Sequence, residues 1–72
     1  MSEIVDARGL SCPQPVLDTL NKIAAMGSGK IEVLVDTEAS KENVSRAAAA
    51  KGWSLDAVIE NAGEYRITIS KG

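Results

Sequence analysis

The two prolines of the chain, Pro13 and Pro15, constrain its local structure more than any other feature. Proline lacks a backbone N–H and has a fixed φ, so it breaks a helix interior but fits the first turn, where N–H groups have no partner. Two prolines two residues apart can therefore open a helix but cannot lie inside one. We predict a helix that begins at Pro13, with Pro15 still in its first turn.

The residues after these prolines have the periodicity of an amphipathic helix. One face of this helix would be apolar, and Gly27 is well placed to end it as a left-handed residue. The segment before the prolines, residues 3–7, has a short apolar stretch that predicts an edge or inner strand. The predicted buried stripe of the helix consists of Val16, Leu17, Leu20, Ile23 and Ala24.

The rest of the chain alternates between strand and helix patterns. Residues 30–36 alternate as a strand, and a second helix begins near Thr37 to Ser40, either of which could cap it. Gly52 ends that helix, whose buried side would include Val44, Ala47 and Ala48. Two further strands flank the turn residues 61–64 as a hairpin. Their alternating apolar residues are Trp53, Leu55, Ala57 and Ile59, then Tyr65, Ile67 and Ile69.

This order of elements, β-α-β-α-β-β, predicts one domain over residues 1–72. Strand–helix–strand units cross over with right-handed connections, which places both helices on one face of the sheet. We therefore predict an α/β (α+β) two-layer sandwich with a four-stranded mixed sheet. We expect it to be a monomer.

The charges and residue counts exclude several function classes. Eight basic and ten acidic residues give no basic footprint for direct nucleic-acid binding. The chain has no histidine and one cysteine, which argues against a Cys–His pair, an internal disulfide or a zinc site. We expect no bound metal or cofactor. No apolar run approaches the roughly 20 residues that span a membrane, and the N-terminus lacks signal-peptide features. We expect a cytoplasmic protein.

The single cysteine, Cys12, lies directly before the predicted helix. Helix N-termini carry partial positive charge, and cysteine pKa values there fall from ~8.5 into roughly the 3.5–7.5 range. Arg8, in the same loop, could add a second positive charge. A lone cysteine in a small protein is more often a buried apolar residue. Its position outside the apolar stripe favours a reactive thiolate instead.

The other polar or aromatic residues of interest leave alternatives open. Asp6 and Arg8 could form a solvated pair, bridge the turn structurally or act at the site. Gly9 is explained by turn geometry, and Trp53 by the core or a strand surface. The basic residues of the second helix could be a solvated face or a docking patch; they are Lys41, Arg46 and Lys51.

The segment from Asp6 to Val16, D-A-R-G-L-S-C-P-Q-P-V, resembles the signature of the TusA/SirA/YedF family of small sulfur-carrier proteins. The order of elements is similar to that of the family along the whole chain. Residues 35–45 and 65–69 are most similar to the amino-terminal domain of YedF-type proteins, which are linked to selenium metabolism. Family members that act in tRNA thiolation usually carry several basic residues on the first helix, where this chain has only Lys22.

The resemblance implies a function for Cys12. It would accept a sulfane sulfur as a persulfide from a cysteine desulfurase or another donor protein, and pass it to a downstream acceptor protein. Lack of a second cysteine favours carriage over dithiol redox work, because a resolving thiol would release the sulfur. The supporting residues would be Asp6, Arg8, Gly9, Pro13 and Pro15, and the docking residues Leu10 and Gln14.

Two other functions remain open. The chain could be a non-catalytic binding or regulatory module, including one of selenium metabolism, that uses the Cys12 loop and the first helix as a docking face. It could also be a redox sensor that dimerises through Cys12, although such sensors usually have a resolving thiol nearby.

Overall fold

A computed structural model describes residues 2–10 and 14–72. The elements are β1 (Ser2–Asp6), α1 (Gln14–Met26), β2 (Gly29–Val35), α2 (Glu38–Ala50), β3 (Ser54–Asn61) and β4 (Glu64–Lys71). Over the described residues the sheet order is β1-β2-β4-β3, with β1 parallel to β2 and the other two pairings antiparallel. Both helices cover the same face, so the predicted two-layer sandwich with a mixed sheet is confirmed.

The core lies between the helices and the two central strands. Alternate residues of β2 and β4 point towards the helices and are fully buried, as the period of two predicts. Burying one such side chain contributes about 1.5–3 kcal/mol of transfer free energy. These residues are Ile31, Val33, Val35, Ile67 and Ile69, and Val44 and Ala48 of α2 pack against them.

The buried stripe of α1 differs from the predicted one. Leu17 is 47% exposed and Ala24 is also exposed, so neither belongs to the core. The stripe is instead rotated towards Pro15, with buried residues at Pro15, Thr19 and Ile23. The Thr19 hydroxyl donates a hydrogen bond to the Pro15 carbonyl oxygen at 2.8 Å, which satisfies a polar group that the apolar pattern left out.

Helix α2 begins where the sequence predicts. Thr37 is the N-cap residue, and its side-chain oxygen accepts a hydrogen bond from the Ser40 N–H at 3.1 Å. Ser40, Val44 and Ala48 are buried at intervals of four, so one narrow face of small residues packs close to the sheet.

The strand β3 corrects a second prediction. The pairing with β4 shifts between Leu55 and Ala57, so the alternation does not run through the strand. Leu55 and Val58 lie on the helix-side face, whereas Ala57 and Ile59 lie on the opposite face. Every residue of β3 is exposed, and the strand lies at the edge of the sheet. Trp53, just before the strand, is buried in the core.

The predicted hairpin between the last two strands is confirmed. Asn61 pairs with Glu64, and the two residues between them, Ala62 and Gly63, have φ values of 54° and 83°. Positive φ at both central residues is the requirement of a two-residue type I′ turn. This turn brings Glu64 to the same end of the sheet as the loop after β1.

Candidate functional site

The candidate site is the connection between β1 and α1, at the carboxyl edge of the parallel pair. The Ala7 N–H donates to the Leu34 carbonyl oxygen at 2.8 Å, which continues the β1–β2 ladder one step beyond Asp6. The chain then turns, with the Leu10 N–H 3.4 Å from the Ala7 carbonyl oxygen. We call residues 6–10 the anchored segment, because its groups donate hydrogen bonds to two carboxylates outside it, Asp36 and Glu64, and to its own Asp6.

Asp6 and Arg8 form a two-pronged ion pair within the anchored segment. Arg8 Nε donates to Asp6 Oδ1 and Arg8 Nη2 donates to Asp6 Oδ2, each at 2.9 Å. The Arg8 backbone N–H also donates to Asp6 Oδ1 at 3.2 Å. The side-chain hydrogen bonds from Arg8, followed by the backbone one, lower the pKa of Asp6 to about 2. The pKa of Arg8 is raised, chiefly by its hydrogen bonds to Asp6.

A second carboxylate contacts Arg8 from β4, the strand beyond β2 in the sheet. Glu64, the first residue of β4, lies with Oε1 3.3 Å from Arg8 Nη1. The guanidinium thus faces two carboxylates, and its positive charge is compensated by them. Arg8 therefore links the anchored segment to the β3–β4 turn, and both of its ion pairs are solvent-exposed.

Gly9 is held by a third carboxylate. Its N–H donates to Asp36 Oδ2 at 2.8 Å, and its φ of +76° lies in the left-handed region that favours glycine. A Cβ atom at this position would meet no atom within 4 Å, so the backbone conformation alone requires glycine. The expected turn geometry of Gly9 is present.

On the helix side of the site, the first turn of α1 combines buried and exposed residues. Pro15 is the second residue of α1 and is buried, whereas Gln14 is exposed. Gln14 Nε2 donates to Asp18 Oδ1 at 2.7 Å, one helical turn along. Leu10 is 38% exposed, and with Leu17 it presents apolar surface on both sides of the Cys12 position in the sequence.

Cys12 and Pro13 lie outside the described residues, and the roles predicted for them remain predictions. The structure does bring Asp6, Arg8 and Gly9 together in one hydrogen-bonded segment two to six residues before Cys12. Within residues 2–10 and 14–72, no group of three His, Cys, Asp or Glu side chains could hold a metal ion. Neither described helix is long and apolar enough to cross a membrane.

Two residues of this site were not predicted from the sequence. Asp36 contacts Gly9 from 27 positions away, and Glu64 contacts Arg8 from 56 positions away. For Asp36 a signal was present: it directly follows β2, and parallel neighbours end at the same edge of a sheet. For Glu64 the signal would have been the strand order, which places β4 beside β2.

Comparison with known proteins gives a consistent result. The family model for sulfurtransferase TusA matches residues 3–71. A proposed sulfur carrier protein of Methanocaldococcus jannaschii is 32% identical over 68 residues, which cover 93% of this chain and 91% of that protein. The crystal structure of a SirA-like protein from Desulfitobacterium hafniense superposes with a TM-score of 0.89 at 30% identity and covers 97% of each chain. The chain therefore belongs to the sulfurtransferase TusA family of sulfur carriers.

Proposed function

We propose that this protein carries sulfane sulfur as a persulfide on Cys12 and relays it from a donor protein to an acceptor protein. The observation that carries the proposal is the position of the only thiol. It lies in the sequence between a hydrogen-bonded turn that ends at Leu10 and the first residue of α1, Gln14. Membership of a sulfur-carrier family supports the same function.

The proposed relay needs only the thiolate of Cys12. The thiolate attacks the terminal sulfur of a donor persulfide, a new S–S bond forms on Cys12, and the donor leaves as a thiolate. An acceptor thiolate then attacks the terminal sulfur of the Cys12 persulfide. The sulfur passes to the acceptor, and Cys12 is released as a thiolate. Each step exchanges one S–S bond for another, so no external oxidant or reductant is required.

The amino end of α1 is the feature that we expect to activate the thiol. This helix has 13 residues and no acidic residue in its first turn, so no carboxylate there offsets the partial positive charge of the helix end. The charge of Arg8 is compensated by Asp6 and Glu64. We therefore assign Arg8 to holding the turn, together with Asp6 and Gly9, rather than to direct stabilisation of the thiolate.

The partners in this proposal are proteins. A cysteine desulfurase or another persulfide-bearing donor loads Cys12, and a downstream thiol protein unloads it. A single cysteine suits a reducing compartment, so we place the relay in the cytoplasm, with the protein acting as a monomer. Leu10 and Gln14, both exposed, are the proposed contacts with these partners.

Loading of the native chain tests the carrier function. The protein is incubated with a cysteine desulfurase and cysteine, and its intact mass is measured before and after reduction. We expect a mass increase of one sulfur atom that reductant removes, and no such increase on Cys12→Ser. No adduct on the native chain, or an equal adduct on Cys12→Ser, would falsify the proposal.

The exposed leucines beside the site favour a second candidate, a non-catalytic docking module. Leu10 and Leu17 are 38% and 47% exposed, which is compatible with an apolar contact surface. A docking module predicts that Cys12→Ala keeps partner affinity and biological activity, whereas Leu10→Ala loses both. A carrier predicts that Cys12→Ala loses activity even where affinity is kept, so the same pair of variants separates the two functions.

A further inference from the structure

We infer that Asp36 is a positioning residue for the reactive loop, through its hydrogen bond to the Gly9 backbone. The inference builds on the proposed function of Cys12 and adds a residue that neither the signature motif nor the family match assigns. Asp36 directly follows the last residue of β2, so it lies in a different part of the chain from the motif at residues 6–16. Asp36 would act on the Cys12 thiol indirectly, by fixing the backbone conformation at Gly9.

The geometry at Gly9 is that of a fixed anchor. Asp36 Oδ2 accepts the Gly9 N–H at 2.8 Å, a short distance typical of a hydrogen bond to a charged acceptor. Gly9 itself has a φ of +76°, and it lies where the chain changes direction between β1 and α1. One hydrogen bond therefore fixes the backbone at the bend, three residues before Cys12.

Asp36 is a stronger candidate for this role than Glu64. The Arg8–Glu64 pair joins two flexible side chains at 3.3 Å, both about half exposed. Exposed ion pairs of that kind contribute little to stability, because solvent screens the charges and both side chains lose rotamer freedom. The Asp36–Gly9 hydrogen bond is exposed too, but Asp36 accepts it from a backbone N–H, so this contact restrains the main chain itself.

The start of α2 does not explain the position of Asp36. Thr37 caps that helix with its own side chain, which accepts from the Ser40 N–H at 3.1 Å. The Asp36 carboxylate points to the anchored segment instead. A variant at Asp36 should therefore leave the cap of α2 in place.

The test compares Asp36→Ala with Asp36→Asn in the full chain. Asn keeps an oxygen acceptor for the Gly9 N–H but removes the charge, whereas Ala removes both. Glu38→Ala is the matched control, because it removes the same charge two positions away, and the Glu38 side chain makes no hydrogen bond or ion pair within the described part of the chain. Thermal unfolding followed by circular dichroism checks that every variant is folded.

Two readouts report on the anchor. Solvent exchange of the Gly9 amide, measured by NMR, should accelerate by about tenfold or more in Asp36→Ala and by less than about twofold in Asp36→Asn. Alkylation of Cys12 by iodoacetamide, measured across pH, should slow by about threefold to tenfold near neutral pH in Asp36→Ala alone. Glu38→Ala should match the native chain in both.

The direction of the change in the Cys12 alkylation rate distinguishes a positioning role of Asp36 from a direct effect of its charge on the thiol. If the negative charge of Asp36 acted on the thiol directly, its removal would speed alkylation equally in the Ala and Asn variants. That result would overturn the inference. Unchanged Cys12 reactivity in Asp36→Ala would also overturn it, with or without faster exchange at Gly9, because the anchor would then not reach Cys12.

Failure of this inference is distinguishable from failure of the carrier function. One readout follows the Gly9 amide proton and the other follows alkylation of Cys12. Neither requires sulfur loading. A native chain that takes up no sulfur would refute the carrier function while the comparison of Asp36→Ala with Asp36→Asn still decides the role of Asp36.

Discussion

Among single residues, Asp6 and Arg8 form a solvent-exposed ion pair, while a role for them at the site stays a prediction. The two side chains make two parallel hydrogen bonds of 2.9 Å across a gap of one residue, so they bridge the turn. Their proximity in the sequence made this contact predictable. The partners of Gly9 and Arg8 at Asp36 and Glu64 were not, because they depend on which strands become neighbours.

The lowered pKa of Asp6 makes a pH-dependent contribution to stability. Its pKa falls from 3.8 to about 2 on folding, so the contribution is fully present above pH about 4 and is lost as the pH falls towards 2. We expect Asp6→Asn to remove this part of the acid destabilisation, as measured by urea unfolding across that range. The effect should be small and should shrink in high salt, since the pair is exposed. An unchanged pH profile would contradict this assignment.

The helices and strands show what periodicity can and cannot predict. Strict alternation located the buried faces of β2 and β4, since both strands lie inside the sheet. In α1 the same logic failed because Thr19 is buried through a hydrogen bond to its own helix, which a count of apolar residues does not register. In β3 it failed because one extra residue near Leu55 changes the face of everything after it.

The N-cap of α2 provides a prediction for one element. Removing the Thr37 hydroxyl leaves the Ser40 N–H without its acceptor, so Thr37→Ala should lower the free energy of unfolding by about 1 kcal/mol. Ser45→Ala is the control: its hydroxyl donates to the Lys41 carbonyl one turn earlier, a bond that adds little to a helix. Urea unfolding of both variants measures the difference. Equal stability of the two would show that the cap does not matter.

For the molecule as a whole, the order of elements and the hairpin followed from local signals. Helix-opening prolines, a capping threonine and a two-residue turn each act within a few positions of the chain. The face that each strand buries depends instead on neighbours far away in the sequence. Strand β3 illustrates this, because the alternation predicts Leu55 and Ile59 on one buried face, whereas both are exposed on a strand at the edge of the sheet.

Two isoleucines on the hairpin strands test this division between core and surface. Ile67 is fully buried on central strand β4, whereas Ile59 on β3 is 55% exposed. We expect Ile67→Ala to cost about 2–5 kcal/mol, a large part of the stability of so small a domain, and Ile59→Ala less than about 1 kcal/mol. Denaturant unfolding gives both values. Similar losses at the two positions would contradict the placement of the core.

The carrier function requires that Sγ of Cys12 hold the sulfur, and cyanolysis measures this most directly. The chain is loaded by a cysteine desulfurase with cysteine, separated from the donor and treated with cyanide, which removes a sulfane sulfur as thiocyanate. We predict one thiocyanate per native chain and none from Cys12→Ser treated in the same way, since the chain has no other thiol. No thiocyanate from the native chain, or the same yield from Cys12→Ser, would contradict the carrier function of Cys12.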